Sequence, residues 1–177
     1  MRAVIRLVAM SMAAALCLHA LPAWAASGSI TDPNDVHGRL DLARLSFIKP
    51  AGTAPFTITV RTYDPWPKRV LRDHVNRLAV FIDTDGDGTK DYTARIRKSG
   101  AHLVANISGS GSSFEPLPVE RPNRRTVRFT IPGNSPPNPN GPAPHLRAYS
   151  VFIESLACDP ASGHMPCVDH APDTAWL

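Results

Sequence analysis

Apolar and polar side chains alternate with a period of two along much of this chain. The clearest example is 56–62, where Phe56, Ile58 and Val60 share one face of an extended segment and polar residues occupy the other. Such alternation is typical of a β-strand with one buried face, and β-branched residues favour that conformation. The pattern predicts strands at 40–48, 56–62, 78–83, 92–97, 103–107, 126–131 and 146–156.

The segments between these strands contain the residues that turns require, such as Pro50, Gly52 and Gly100. No longer segment shows a sustained helical face. Residues 64–76 are interpreted either as one short helical turn or as a crossing loop. Many short strands separated by polar turns predict an all-β fold, a single antiparallel β-sandwich over 26–177 with an exposed proline-rich loop near 132–144.

The first 25 residues have the order of charges and apolar residues found in export signals. Arg2 and Arg6 precede an apolar stretch, and Ala23 and Ala25 provide small residues for cleavage. We therefore interpret 1–25 as a signal peptide and expect a secreted protein, extracellular or periplasmic. No later segment is long and apolar enough to predict a membrane span.

The charge balance argues against a nucleic-acid partner. The chain has 19 Lys and Arg against 15 Asp and Glu, and loss of Arg2 and Arg6 leaves 17 against 15 (19 − 2 = 17), a net charge of +2. The basic residues are scattered, whereas nucleic-acid binders concentrate them in a patch. The hydrophobic share of 43% suits one globular domain.

Four aspartates spaced two to four residues apart form the most specific chemical feature. Carboxylates at positions 1, 3, 5 and 9 of a loop, with Gly88 at the bend, supply the oxygens that a hard cation prefers. We predict Ca²⁺ as the cofactor, and the alternative is an acidic turn held only by side-chain hydrogen bonds to its own backbone. The predicted ligands are the side chains of Asp83, Asp85, Asp87 and Asp91 and the carbonyl of Thr89.

This loop resembles the D-x-D-x-D-G-x-x-D calcium loops of dockerins, EF-hands and thrombospondin type 3 repeats. It differs from the EF-hand at position 12, where Ala94 replaces the bidentate glutamate. The flanking residues 78–82 and 92–96 alternate as strands do, whereas an EF-hand loop joins two helices. We therefore predict a calcium-binding β-hairpin.

A second acidic cluster, Asp32, Asp35 and Asp41, lies at the entry to the first predicted strand and is a second candidate metal site. The alternative is a turn that favours these residues without a metal. The cluster, the sheet and the calcium loop together resemble secreted bacterial β-sandwich proteins of the DOMON-like and carbohydrate-binding jelly-roll group. That resemblance implies a jelly-roll-like sandwich with a binding role, and it transfers no sugar-contacting residue.

Two cysteines, Cys158 and Cys167, remain after the signal peptide, and we predict a disulfide between them because exported thiols meet an oxidising environment. Closing this short loop would contribute about 2 to 3 kcal/mol. The alternative is a zinc site that adds co-ligands from the same stretch. Those co-ligands would be Asp159, His164, Asp169 and His170.

The sequence contains no catalytic fingerprint, and its acids concentrate in turn-like segments, where we expect nothing to raise a carboxyl pKa for acid catalysis. Tyr63, Trp66 and Tyr149 are candidates for stacking on a sugar, although Tyr63 and Trp66 could instead form a small core under 64–76. We predict a non-catalytic, calcium-stabilised binding module for polysaccharide or cell-envelope material. The first alternative is an extracellular protein-interaction or surface-assembly domain, with a cell-surface protein as its partner. The second alternative is a hydrolase.

Overall fold

The computed structural model describes residues 25–36, 38–72, 75–109, 111–113, 116–133, 135, 143–152 and 167–177. This part of the chain forms antiparallel strands and one short 3-10 turn at Lys68–Leu71. None of its helical segments is long and apolar enough to cross a membrane. The strands are β1 (Ala26–Thr31), β2 (Leu42–Lys49), β3 (Phe56–Thr62), β4 (Arg77–Asp83), β5 (Tyr92–Ser99), β6 (His102–Gly109), β7 (Ser112–Ser113), β8 (Leu117–Asn123), β9 (Thr126–Ile131), β10 (His145–Phe152) and β11 (Cys167–Ala171).

The strands form one continuous sheet in the order β1-β2-β3-β9-β8-β6-β5-β4-β10-β11, with β7 paired to β6. The all-β antiparallel prediction is confirmed. The sheet nearly closes into a barrel, whereas the predicted sandwich would divide the strands between two sheets. The line along which its two ends approach each other, between β11 and the start of β2, is called the seam below.

Each of the predicted strands coincides with an observed one, from β2 to β10, as far as the chain is described. The agreement follows from the alternation of apolar and polar residues. In β3, for example, the inward residues are buried and the outward residues are not. The 3-10 turn lies within 64–76, in agreement with the helical alternative for that segment. The last predicted strand, 146–156, extends beyond the described residues after Phe152.

Three strands of five or more residues, β1, β8 and β11, were not predicted. In β1 the buried-face signal is weak because serine, glycine and alanine occupy most positions. In β8 two prolines replace backbone donors, and its pairing with β9 shifts register between Glu120 and Asn123. The third, β11, begins at Cys167 and is only five residues long.

The inward faces of the strands enclose one hydrophobic core, and Trp66 and Leu71 from the β3–β4 connection also enter it. The largest side chains that are at most 1% exposed include Phe56, Phe129 and Trp66. The predicted signal peptide is outside the described residues except for Ala25, and the proline-rich loop is described only at its ends.

Candidate functional site

The aspartate-rich loop joins two paired strands, as the sequence predicted. Strands β4 and β5 are antiparallel, with Ile82 opposite Tyr92, and the Asp91 N–H donates to the Ile82 carbonyl at 2.9 Å. Asp83 ends β4, and residues 83–91 form what we call the hairpin loop. Gly86 and Gly88 in this loop have φ values of 78° and 82°, which glycine adopts without steric strain.

Hydrogen bonds from the backbone hold the two aspartates at the base of this loop. The Asp83 carboxylate accepts the N–H groups of Gly86 at 2.6 Å and Gly88 at 2.9 Å. Asp91 Oδ2 accepts both the N–H and the hydroxyl of Thr84, at 2.7 Å and 2.5 Å. Burial raises the pKa of Asp83, but these backbone donors outweigh it and hold the pKa below its ordinary value. Asp83 is therefore an anion fixed in place.

Three carboxylates of the hairpin loop converge. Asp83, Asp85 and Asp91 each offer an oxygen, and these oxygens lie within 4.8 Å of one another. Asp87 is exposed, and its Oδ1 accepts the N–H of Thr89 at 2.6 Å, so this pair lies at the loop tip. The internal hydrogen bonds are those of the acidic-turn alternative, while the converging oxygens are what a cation would require. The geometry is compatible with both.

A second group of acids meets at the seam, and we call it the seam cluster: Asp32, Asp35, Asp41 and Asp169. Asp32 follows β1, Asp41 precedes β2, and Asp169 lies on β11. Oxygens of Asp32, Asp35 and Asp169 lie within 4.8 Å of one another. Sequence reasoning grouped the first three residues and missed Asp169, which the fold brings in from 128 positions beyond Asp41 (169 − 41 = 128).

Backbone hydrogen bonds anchor this cluster. Tyr63 donates its hydroxyl to the Asp32 carbonyl at 2.5 Å and its N–H to the Asp41 carbonyl at 2.9 Å. Asp169 Oδ2 accepts the Leu42 N–H at 2.6 Å. Asp32, Asp41 and Asp169 are only 4%, 4% and 3% exposed, whereas Asp35 is exposed. Tyr63, a predicted ligand-stacking residue, thus positions two of these aspartates.

The buried acids at the seam are strongly perturbed. Burial raises the pKa of Asp32 to about 7, and the charges of Asp169 and Asp173 add to the rise. Burial likewise raises the pKa of Asp41 to about 7, with Asp169 as the next cause. The expectation that nothing raises a carboxyl pKa in the turn-like segments is therefore wrong for Asp32 and Asp41, because both are buried.

Trp66 lies where a ligand cannot reach it. The indole is fully buried, and the Arg121 guanidinium covers it with a carbon-to-ring distance of 4.1 Å. Arg121 also donates to the Trp66 carbonyl and, at 2.7 Å, to that of Arg124. This environment is that of a core residue, which was the alternative interpretation of this tryptophan.

Tyr149 lies instead on the outer side of the sheet, within a row of rings. It stacks on Phe81 with a centroid distance of 5.4 Å and contacts His170 at 5.0 Å. The Lys90 ammonium covers the Phe81 ring at 4.6 Å. All three rings are half-buried. Because β10 pairs with both β4 and β11, the rings form a strip across these three strands.

Arginines border this strip. Arg147 lies opposite Phe81. Arg95 lies opposite Ala79, on the other side of β4 from Tyr149. Burial lowers the pKa of the Arg95 guanidinium, and the charges of Arg77 and Arg97 lower it further, so three arginines are close neighbours. We call the strip and its cations the aromatic–basic face; it comprises Arg77, Phe81, Lys90, Arg95, Arg97, Arg147, Tyr149 and His170.

Cys158, Asp159 and His164 lie outside the described residues, so the disulfide and zinc interpretations both stay predictions. Cys167 is buried on β11. Asp169 and His170 are successive strand residues, one buried and one half-buried on opposite faces. They therefore cannot serve together as ligands of one zinc ion in this arrangement.

Comparison with protein-family models finds no match. Comparisons with curated proteins and with solved structures find none either.

Proposed function

We propose that this chain is a secreted, non-catalytic binding module that holds an acidic polysaccharide on its aromatic–basic face. The observation that supports it best is the row formed by Phe81, Tyr149 and His170 with arginines on both sides. The resemblance to jelly-roll carbohydrate-binding modules with a calcium loop agrees with this role, and the hairpin loop is proposed to bind Ca²⁺.

The arrangement of the rings favours an acidic sugar over a neutral one. Neutral sugars stack on an open ring face, but here Tyr149 and Phe81 use much of their faces on each other. The exposed ring edges carry partial positive charge and attract anionic oxygens. A carboxylate that lies across these edges would also be within reach of cationic side chains.

The charges point in the same direction. Arginine matches a carboxylate with two parallel hydrogen bonds, and Arg95 has Arg77 and Arg97 as close neighbours. A polymer with one acid group on each sugar would neutralise several of these cations at once. A single small anion would neutralise only one of them, so we propose a polymer as the ligand.

Calcium has a defined part in this proposal. The hairpin loop brings the charges of Asp83, Asp85 and Asp91 to one end of the face, next to Lys90. Without a cation these carboxylates would repel an acidic polymer over about one Debye length, roughly 8 to 10 Å. Bound Ca²⁺ would offset that repulsion and hold the loop that carries Lys90.

Catalysis is not proposed, although Asp32, Asp41 and Asp169 each have a raised pKa. Acid catalysis on a sugar requires a carboxyl that touches the scissile bond. Asp32 and Asp41 are each 4% exposed, so a polysaccharide cannot reach them without local unfolding. The buried acids are better explained as part of the fold.

The test is affinity electrophoresis of the purified protein in gels that contain either polygalacturonate or neutral dextran. We expect retardation by the acidic polymer alone, decreasing with added salt as ionic contacts are screened. Tyr149→Ala and Arg97→Gln should each weaken binding by about tenfold, the equivalent of ~1.4 kcal/mol. Arg61→Gln is the matched control, because Arg61 is an exposed arginine on β3.

Two results would contradict the proposal. Equal retardation by dextran and polygalacturonate would show that charge is not recognised. If Arg61→Gln weakens binding as much as Arg97→Gln does, the polymer is attracted by the net charge of the protein and not by the aromatic–basic face. Circular dichroism of each variant should match the parent protein, so that a loss of binding is not a loss of fold.

A further inference from the structure

The seam cluster brings together carboxylates from distant segments of the chain. Several of their oxygens accept no hydrogen bond from the described residues. Asp32 Oδ2, Asp41 Oδ1 and Asp169 Oδ1 are buried, and none has a hydrogen-bond partner in the described part of the chain. Buried polar atoms almost always have partners, because an unpaired one has lost its hydrogen bonds to water without replacing them, and the loss is larger for a charged atom. These oxygens therefore need either protons shared between the carboxyls or a bound cation.

We propose that the seam cluster binds a divalent cation, Ca²⁺, through Asp32, Asp35 and Asp169 with Asp41 beside them. Oxygens of the first three residues lie within 4.8 Å of one another, close enough to share one ion. The inference is independent of the hairpin loop and of polysaccharide binding, since it uses none of their residues.

A cation explains the arrangement better than shared protons do. Protons could satisfy the three buried carboxyls, but they would give no reason for a fourth acid to converge on them. Asp35 is exposed and yet places an oxygen within the same 4.8 Å group. An exposed carboxylate beside buried ones gives an entering ion its first ligand while it still holds water.

The chemistry of the ligands selects the metal. All the ligands are carboxylate oxygens, which hard cations prefer over transition metals. Mg²⁺ usually keeps several of its waters, whereas Ca²⁺ accepts six to eight oxygens in irregular geometry. Two of the three ligand carboxylates, those of Asp32 and Asp169, are buried, so an ion there would keep few waters and Ca²⁺ fits better. One oxygen of Asp169 is already fixed by the Leu42 N–H, which holds that ligand rigidly.

The position of the site gives it a structural effect. Asp32 and Asp41 belong to the β1–β2 connection, and Asp169 belongs to β11. An ion between them would join the two ends of the sheet path. We therefore infer that the seam ion clips the last strand to the beginning of the domain.

The experiment counts bound calcium by mass spectrometry of the purified protein after equilibration in buffered Ca²⁺, and measures urea unfolding in Ca²⁺ and in chelator. We expect Asp169→Asn and Asp35→Asn each to remove one ion, with the count at the hairpin loop unchanged. Asp83→Asn should remove a different ion, and the double variant should lose both. Asp64→Asn, an exposed aspartate near Asp41, is the matched control and should lose none.

The stability of Asp169→Asn separates a cation from shared protons. An asparagine resembles a protonated aspartate, so this variant should be more stable than the parent in chelator and less stable in Ca²⁺. An unchanged calcium count in both Asp169→Asn and Asp35→Asn would overturn the proposal. The same holds if Asp169→Asn is the more stable protein in both conditions. Asp35 is exposed, so its variant remains informative if Asp169→Asn fails to fold.

Discussion

Asp169 Oδ2 accepts the backbone N–H of Leu42 at 2.6 Å, a contact between residues 127 positions apart. This hydrogen bond gives the N–H of Leu42, the first residue of β2, an acceptor from β11. Because Asp169 is also one of the converging carboxylates, the same side chain supports the backbone at the seam and the acidic cluster beside it. Fold and candidate metal chemistry are therefore connected at this point.

The Tyr63 hydroxyl is expected to stabilise the seam. Tyr63→Phe removes the donor to the buried Asp32 carbonyl and should lower the free energy of unfolding by about 0.5 to 1.5 kcal/mol. Urea denaturation measures the change. Tyr149→Phe is the control, because the Tyr149 hydroxyl has no hydrogen bond to the described residues, and a loss of equal size there would contradict the assignment.

Chelation is expected to destabilise the hairpin loop. With 1 mM free Ca²⁺ and an affinity near 0.1 mM, typical of extracellular modules, a bound ion adds about 1.4 kcal/mol. Asp85→Ala should abolish this share of the response, because Asp85 offers one of the converging oxygens. Thermal melts with and without chelator provide the measurement. If chelator lowers the melting temperature of the parent protein and of Asp85→Ala equally, this loop does not bind calcium.

The metal-free protein is expected to lose stability as the pH rises. The pKa of Asp32 and of Asp41 is raised from 3.8 to about 7, so the folded state binds more protons than the unfolded state between these values. Stability in chelator should fall as the pH rises from about 4 to about 7 and then level off. Urea midpoints across this range test the direction, and a midpoint that rises throughout would contradict it.

Trp66→Ala is expected to damage the fold and not a ligand surface. Removing a fully buried indole should cost about 3 to 5 kcal/mol. The folded fraction should still bind polygalacturonate as the parent protein does. A stable variant with selectively weakened polysaccharide binding would instead restore the sequence-based interpretation of Trp66.

Cys158 and Cys167 are expected to be oxidised to each other in the exported protein. Thiol titration of denatured protein should detect no free thiol. Two free thiols together with one equivalent of zinc would favour the metal interpretation. In that case Asp169 and His170 could not both be ligands without a change in β11, since they lie on opposite faces.

The strands that could be predicted from sequence are those with strong alternation. Phe56, Ile58 and Val60 face the core in β3, as their spacing indicates. Strand β1 could not be predicted, because Ile30 is the one large apolar residue among its half-buried positions and the other two are Ala26 and Gly28. In β8, Pro118 argues against a strand, because proline has no backbone N–H to donate. The strand nevertheless pairs with β6, where Pro118 lies opposite Val104.

The candidate sites show the same division between local and distant information. The hairpin loop is contiguous, so its aspartates and their spacing could be recognised directly. Asp169 joins the seam cluster only because β11 pairs with β10 and returns beside the β1–β2 connection. No pattern within a short window reports such a meeting. The ring neighbours of Tyr149 likewise come from two other strands, β4 and β11, which lie beside β10 only after folding.

The position of β11 at the end of the sheet path determines what truncation does to this molecule. Synthesis proceeds from the N-terminus, so β1 and β2 exist long before the strand that completes their surroundings. A chain that stops before Cys167 leaves one edge of β10 without its partner and deprives Leu42 of its acceptor. Open strand edges pair readily with other chains, so nonsense mutants of this tail should accumulate as aggregates and not as shortened soluble domains.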